Sequence, residues 1–158
     1  MLLAIDIGNT QTVLGIYHND SLVHMWRLAT KTDHTSDELR IKLHALLDAE
    51  HLTDKDIDGA ILASVVPALT HNWEKVCMRS FGVETLVVST KSCGHLVNIN
   101  RSEFTELGAD RVADAVAAKY VYGSPVIVVD FGTATNIEVV DREGVFRGGI
   151  IAPGVESS

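Results

Sequence analysis

Apolar and polar positions fall into short runs that predict alternating strands and helices. Residues 2–7, 12–18 and 21–29 read as three antiparallel strands, with Asn19-Asp20 at the second turn and Leu22, Val23, Met25 and Trp26 on the third strand. Thr35, with Glu38 three residues on, is a capping-box pattern, and Leu39, Leu43, Leu46 and Leu47 give the helix behind it one apolar stripe. His44 falls at that helix's boundary face. Residues 59–65 form a continuous apolar run, as in a strand covered on both faces. Pro67 suits the first turn of a helix running to about Phe81, with Gly82 as its stop and Trp73, Val76 and Cys77 as its buried stripe. Val83–Val88 is the next strand, and 89–107 is a polar, irregular stretch long enough to be a functional loop. Gly108-Ala109-Asp110-Arg111 opens a helix to about Tyr122, with Val112, Val116, Tyr120, Ala113 and Ala117 inward. Strands at 125–131, 135–140 and 145–151 follow.

Three strands, helix, strand, helix, strand, helix is the ribonuclease-H-like order. It predicts an α/β domain of the actin-like ATPase kind, a mixed sheet with helices on both faces, over residues 1–123. Residues 124–158 restart the pattern and supply only the opening strands of a second, duplicated domain. Three strands do not cover their own faces. The expectation is therefore an incomplete second domain, with an apolar face over 125–151 exposed and with order that depends on another chain.

Composition narrows the classes. The 158 residues are 46% hydrophobic and 22% charged, which is globular rather than disordered. A net charge of −8 argues against nucleic acid as the main partner, because phosphate backbones need a basic surface. No apolar run reaches membrane-spanning length, and Asp6 interrupts the first run, unlike a signal peptide; a cytoplasmic protein is expected. Cys77 and Cys93 read as free thiols in preference to a disulfide, and the seven histidines show no zinc spacing.

The chemistry concentrates in the first hairpin. Asp6 sits within the apolar run Leu2 to Ile7, and an unpaired buried carboxylate is costly. Asp6 therefore belongs at the strand's end, facing a cation or a polar cleft. Gly8 can take positive φ, and Asn9, Thr10 and Thr12 bring short donors to a tight turn. Such a turn can cradle an anion with backbone N–H groups while the carboxylate faces a metal. A second copy strengthens the reading: Val128-Val129-Asp130-Phe131-Gly132-Thr133-Ala134-Thr135 aligns Asp130 with Asp6 and Gly132 with Gly8. Two such hairpins suggest a nucleotide held in a cleft between duplicated domains.

Asp110 lies in a helix's first turn, where the macrodipole favours a carboxylate. Phosphate nearby would raise its pKa toward that of a general base. Arg111 suits a carboxylate ligand, or else a surface salt bridge with Asp114 or Glu106.

Taken together, Asp6-Ile7-Gly8-Asn9-Thr10, Ser64-Val65-Val66-Pro67, Gly108-Ala109-Asp110-Arg111, Asp130-Phe131-Gly132-Thr133-Ala134-Thr135 and Gly148-Gly149-Ile150-Ile151-Ala152-Pro153-Gly154 occur in an order that resembles the first part of type III pantothenate kinases. These belong to the acetate and sugar kinase/actin-like superfamily. The resemblance implies transfer of the ATP γ-phosphate to pantothenate, the first step toward coenzyme A. It implies that Asp6, Ile7, Gly8, Asn9, Thr10, Gln11, Thr12 and Val13 hold the ATP phosphates, with Asp6 facing Mg²⁺, and that Thr133 contacts ATP. It gives Asp110 the role of base, and it assigns pantothenate to Gly108, Ala109, Asp110, Arg111 and position 101. Asp130 would hold a monovalent cation, K⁺ or NH₄⁺, and the family is a homodimer with the pantothenate pocket at its interface. The chain departs from the pattern at Arg101 and Phe104, where the family places Tyr and Pro. Other readings are another phosphotransferase or phosphatase of the superfamily, such as an exopolyphosphatase-like protein, and a non-catalytic regulator on the same scaffold. A polyanionic substrate would favour a basic cleft, which the charge of −8 does not suggest.

Overall fold

The computed structural model describes residues 1–100 and 107–154. Backbone contacts divide the chain into two compact units, Met1–Val87 and Val88–Ser158.

The first unit runs β1 (Leu2–Ile7), β2 (Gln11–His18), β3 (Ser21–Ala29), α1 (Ser36–Ala49), β4 (Gly59–Ser64), α2 (Pro67–Phe81) and β5 (Thr85–Val87). The sheet order is β3-β2-β1-β4-β5. β1, β2 and β3 are antiparallel neighbours, while β4 lies parallel to both β1 and β5. Tight turns suffice for antiparallel neighbours; the parallel pairs need the crossovers that α1 and α2 provide. This is the ribonuclease-H-like arrangement that the element order predicts.

Period-two alternation sends Leu3, Ile5 and Ile7 of β1 to one face, joined by Leu14, Ile16 and Leu62. Leu39, Leu43 and Leu47 of α1 and Leu69, Trp73, Val76 and Cys77 of α2 close the same core. Each such Leu or Ile contributes about 1.5–3 kcal/mol on burial, so this apolar layer outweighs any single polar contact. Both helices of this unit thus lie on one face of the mixed sheet, and Ala4 and Asp6 lie on the other. Thr35 starts α1 with the expected box: its Oγ1 accepts from the Glu38 N–H at 3.3 Å, and its own N–H donates to Glu38 Oε2 at 2.8 Å. The backbone N–H of Thr35 foremost, then its hydroxyl, hold the Glu38 carboxyl below the usual range. His44 ties the helices together, with Nε2 2.9 Å from Ser80 Oγ and Nδ1 3.5 Å from Asp54.

The second unit contains a 3₁₀ turn at Gly94–Val97, then α3 (Ala109–Tyr122), β6 (Val126–Phe131), β7 (Ala134–Val140) and β8 (Phe146–Pro153). The strands form an antiparallel sheet, β6-β7-β8, and α3 packs on β6 and β7. By contact, α3 therefore groups with the strands that follow it, whereas the sequence pattern groups it with those before. Its buried stripe also differs from expectation: Ala109, Val112, Ala115 and Ala118 face inward, while Tyr120 is 65% exposed. Three of these four residues are alanines, which leave little side-chain bulk on that face of the helix. Val88, Cys93, Val97 and Ile99 are buried, so part of the polar stretch before α3 is built into the structure. Lys119 of α3 fastens it, donating from Nζ to the Leu96 carbonyl at 2.7 Å. The outward side of the sheet exposes Ile127, Val129, Phe131 and Ile150. Cys77 and Cys93 are both free and buried, and burial pushes the Cys77 thiol pKa up.

Candidate active site

In the first unit the sequence-predicted residues gather at the carboxyl end of β1. Asp6 is exposed and stands opposite Val13 in the register, with Ile7 opposite Thr12. The turn between them is braced from behind. The Gly8 N–H donates to the Gln11 carbonyl at 2.9 Å, and the Thr30 hydroxyl donates to the Gly8 carbonyl at 2.8 Å. With that proton spent, Thr30 Oγ1 accepts from Thr12 Oγ1, 2.9 Å away. Thr12 is 3% exposed and Ile7 is fully buried, so their side chains support the turn and only Asn9, Thr10 and Gln11 project outward. Gly8 does not use positive φ; its place reflects closeness, since a Cβ would lie 3.2 Å from the Gln11 carbonyl oxygen. Ser64 ends β4 beside Ile7, and the Val65 N–H donates to the Ile7 carbonyl at 3.0 Å. Pro67 then begins α2, so a helix N-terminus opens at the same sheet end. Thr30 escaped sequence reading, because nothing in its local pattern links it to a turn twenty residues earlier.

Arg27 is opposite Val13, which is opposite Asp6, so all three project from one face. Arg27 lines a shallow depression with Thr10, Gln11, Leu28 and Ala29.

In the second unit, Gly108 caps α3 and Asp110 and Arg111 occupy its first turn. Asp110 Oδ1 accepts the Arg111 N–H at 2.8 Å. Arg111 does not pair with Asp114 as one sequence reading allowed, and Glu106 lies outside the described residues. It reaches β7 instead, where Nε and Nη2 grip the two carboxylate oxygens of Glu138, the Nη2 bond being 3.0 Å. Glu138 is completely buried. Sequence reading missed it, although the signal was the one that found Asp6: a carboxylate inside an apolar strand.

Asp130, near the end of β6, faces Asn136, and Val128 faces Glu138. Alternation puts Asp130, Asn136 and Glu138 on the same side of the sheet. The second hairpin also closes on its glycine, whose N–H donates to the Ala134 carbonyl at 3.0 Å. Gly154 packs against this turn, and a Cβ there would lie 2.4 Å from the Thr133 carbonyl oxygen. Position 101, expected at the acceptor site, and Phe104 lie outside the described residues. Among the described residues no cluster of three or more His, Cys, Asp or Glu could hold a metal. Mg²⁺ bound with nucleotide phosphates needs only one or two protein carboxylates, and Asp6, exposed near the end of β1, is a residue that could hold it.

A mixed sheet in this order, with an Asp-bearing hairpin in each unit, defines the actin-like ATPase and sugar kinase fold. A solved structure of the activator of 2-hydroxyisocaproyl-CoA dehydratase from Clostridium difficile, with ADPNP bound, has this fold; the TM-score is 0.56 at 16% identity, covering 96% of this chain and 45% of that one. Within that fold the chain belongs to the type III pantothenate kinase family, whose pattern matches residues 2–158. It is 44% identical to the type III pantothenate kinase of Halalkalibacterium halodurans over 98% of this chain and 61% of that protein. It is 46% identical to that of Rhodospirillum rubrum over 100% of this chain and 62% of that protein. The chain thus spans about three fifths of the length of these curated relatives.

Proposed function

We propose that the whole protein phosphorylates pantothenate to 4′-phosphopantothenate with ATP, the first step of coenzyme A biosynthesis. The family match over residues 2–158 carries this reading. In it, the substrate's primary hydroxyl oxygen attacks the γ-phosphorus, the bond to the bridging oxygen breaks, and ADP leaves. Asp110 takes the hydroxyl proton; its place in the first turn of α3 is consistent with that role. Asn9, Thr10 and Gln11 meet the ATP phosphates, on a turn held in shape by Thr12 and Thr30. Mg²⁺, when bound with the nucleotide, neutralises phosphate charge, and Asp6 is the residue that would hold it. Asp130 would hold the monovalent cation, K⁺ or NH₄⁺, and Thr133 would contact ATP. Gly108, Ala109 and Arg111 receive pantothenate, with Arg111 on its carboxylate. The solved activator with ADPNP shares the fold, which supports nucleotide use.

The resemblance also supports a homodimer and a cytoplasmic location; no helix among the described residues is long and apolar enough to cross a membrane. Light scattering of the full-length protein tests the dimer. An ADP-release assay on that protein, with and without pantothenate, tests the reaction. Pantothenate-dependent ADP release is expected, and equal rates in both conditions would refute the reading.

A further inference from the structure

The Arg111–Glu138 pair carries a consequence for acceptor selectivity. A guanidinium has five N–H donors in a rigid plane. Glu138 takes the Nε proton and one Nη2 proton of Arg111. The edge formed by Nη1 and the second Nη2 proton is left, and that edge is itself a fork matched to a carboxylate. Arg111 is 17% exposed and Glu138 is fully buried, so one edge is anchored while the group keeps a path to a ligand. The anchor is built into the sheet. Glu138 stands opposite Gly149, where a Cβ would lie 2.8 Å from Glu138 Oε2 and 1.9 Å from the Ile137 carbonyl oxygen. Only glycine leaves that space to the carboxylate.

We infer that Glu138 is a positioning residue that fixes the Arg111 plane, so that the free edge selects acceptors ending in a carboxylate over neutral analogues. This rests on the pantothenate reading above and deepens it. Glu138 itself touches no substrate and no reacting atom. Its charge holds Arg111 through two charge-assisted bonds; an amide in its place offers one acceptor, and its NH₂ group opposes an arginine donor.

The test uses the full-length protein and compares kcat/KM for pantothenate with kcat/KM for an N-alkyl amide of pantothenate, which lacks the carboxylate. Glu138→Gln is expected to lower that ratio by about tenfold or more, mainly by raising KM for pantothenate, because charge-assisted bonds are lost. KM for ATP should stay unchanged. A merely structural role would depress both acceptors together and leave the ratio intact, and an unchanged ratio overturns the inference. If Glu138→Gln does not fold, Glu138→Asp keeps the charge on a shorter arm. It should show a smaller fall in the ratio, and no fall overturns the inference. A wild-type enzyme that turns over both acceptors equally well also overturns it while leaving the proposed reaction standing. A wild-type enzyme that phosphorylates neither overturns both.

Discussion

Asp6 and Asp130 hold the same register position in two separate hairpins. Asp6 pairs with Val13 one step before the terminal pair Ile7 and Thr12; Asp130 pairs with Asn136 one step before Phe131 and Thr135. In each, the glycine two residues on closes the turn through its N–H. The turns are not identical: the first spans Gly8 to Gln11 and the second the shorter Gly132 to Ala134. In the proposed function, nucleotide phosphates lie at the first turn and a monovalent cation at the second. Replacing K⁺ by Na⁺ should therefore slow the full-length enzyme, and Asp130→Ala should abolish the difference between the salts. Equal initial rates of the wild-type enzyme in the two salts would remove Asp130 from cation binding.

Asp110 lies beside Arg111 in the first turn of α3, with one carboxylate oxygen on the Arg111 N–H. Asp110→Asn keeps that acceptor and removes the base. Turnover should fall by about 10²–10⁴ while ATP affinity, read by calorimetry, stays near normal. A variant with wild-type kcat would exclude Asp110 as the base.

Gly149 and Gly82 should both lose stability on enlargement, but to different degrees and for different reasons. A Cβ at Gly149 would meet the Ile137 carbonyl oxygen at 1.9 Å, whereas at Gly82 nothing lies within 4 Å and only the φ of +69° opposes it. Gly149→Ala should destabilise by about 3 kcal/mol or more, the upper end of overpacking. Gly82→Ala should cost only about 1–2 kcal/mol, the strain of a left-handed residue. Urea unfolding of the two variants gives the comparison, and equal losses would contradict the packing at Gly149.

Three carboxylates contribute stability that is lost in acid. Thr35 lowers the Glu38 pKa, the Thr53 hydroxyl and then its backbone N–H lower that of Asp56, and the Val145 N–H, with Arg147 behind it, lowers that of Asp141. Each binds its proton more weakly when folded, so the unfolded chain takes up protons first as pH falls. Their contribution is complete above the unfolded carboxylate pKa of about 4 and is lost as pH falls through the lower folded values. Melting temperature should drop on acidification below about pH 4. Replacing Glu38 by Gln and Asp141 by Asn together should flatten that drop; an equally steep profile would mean other groups govern it.

Much of the fold was legible because local signals agreed with the global pattern. Apolar runs separated by turns mark β1, β2 and β3, Thr35 and Glu38 mark the start of α1, and Pro67 and Gly82 bracket α2. α3 was legible as a helix but not in its orientation. Ala113, Ala115, Val116, Ala117 and Ala118 are apolar almost all round, so periodicity could not single out the face that Val112 and Ala115 bury. The candidate site stands out in the sequence where a carboxylate interrupts an apolar run, as at Asp6 and Asp130. Its supports do not. Thr30 bonds across to Gly8, and Glu138 meets Arg111 across 27 positions; such pairings exist only after the sheet forms. Nothing local to Gly149 shows that the neighbouring strand confines it.

Phosphoryl transfer from ATP to pantothenate is decided by the identity of the product. The full-length protein is incubated with γ-¹⁸O-labelled ATP, Mg²⁺, K⁺ and pantothenate, and the products are read by mass spectrometry. The expected product is 4′-phosphopantothenate carrying the labelled phosphoryl group, in an amount equal to the ADP formed. ADP accompanied by labelled inorganic phosphate, with pantothenate unchanged, would contradict it.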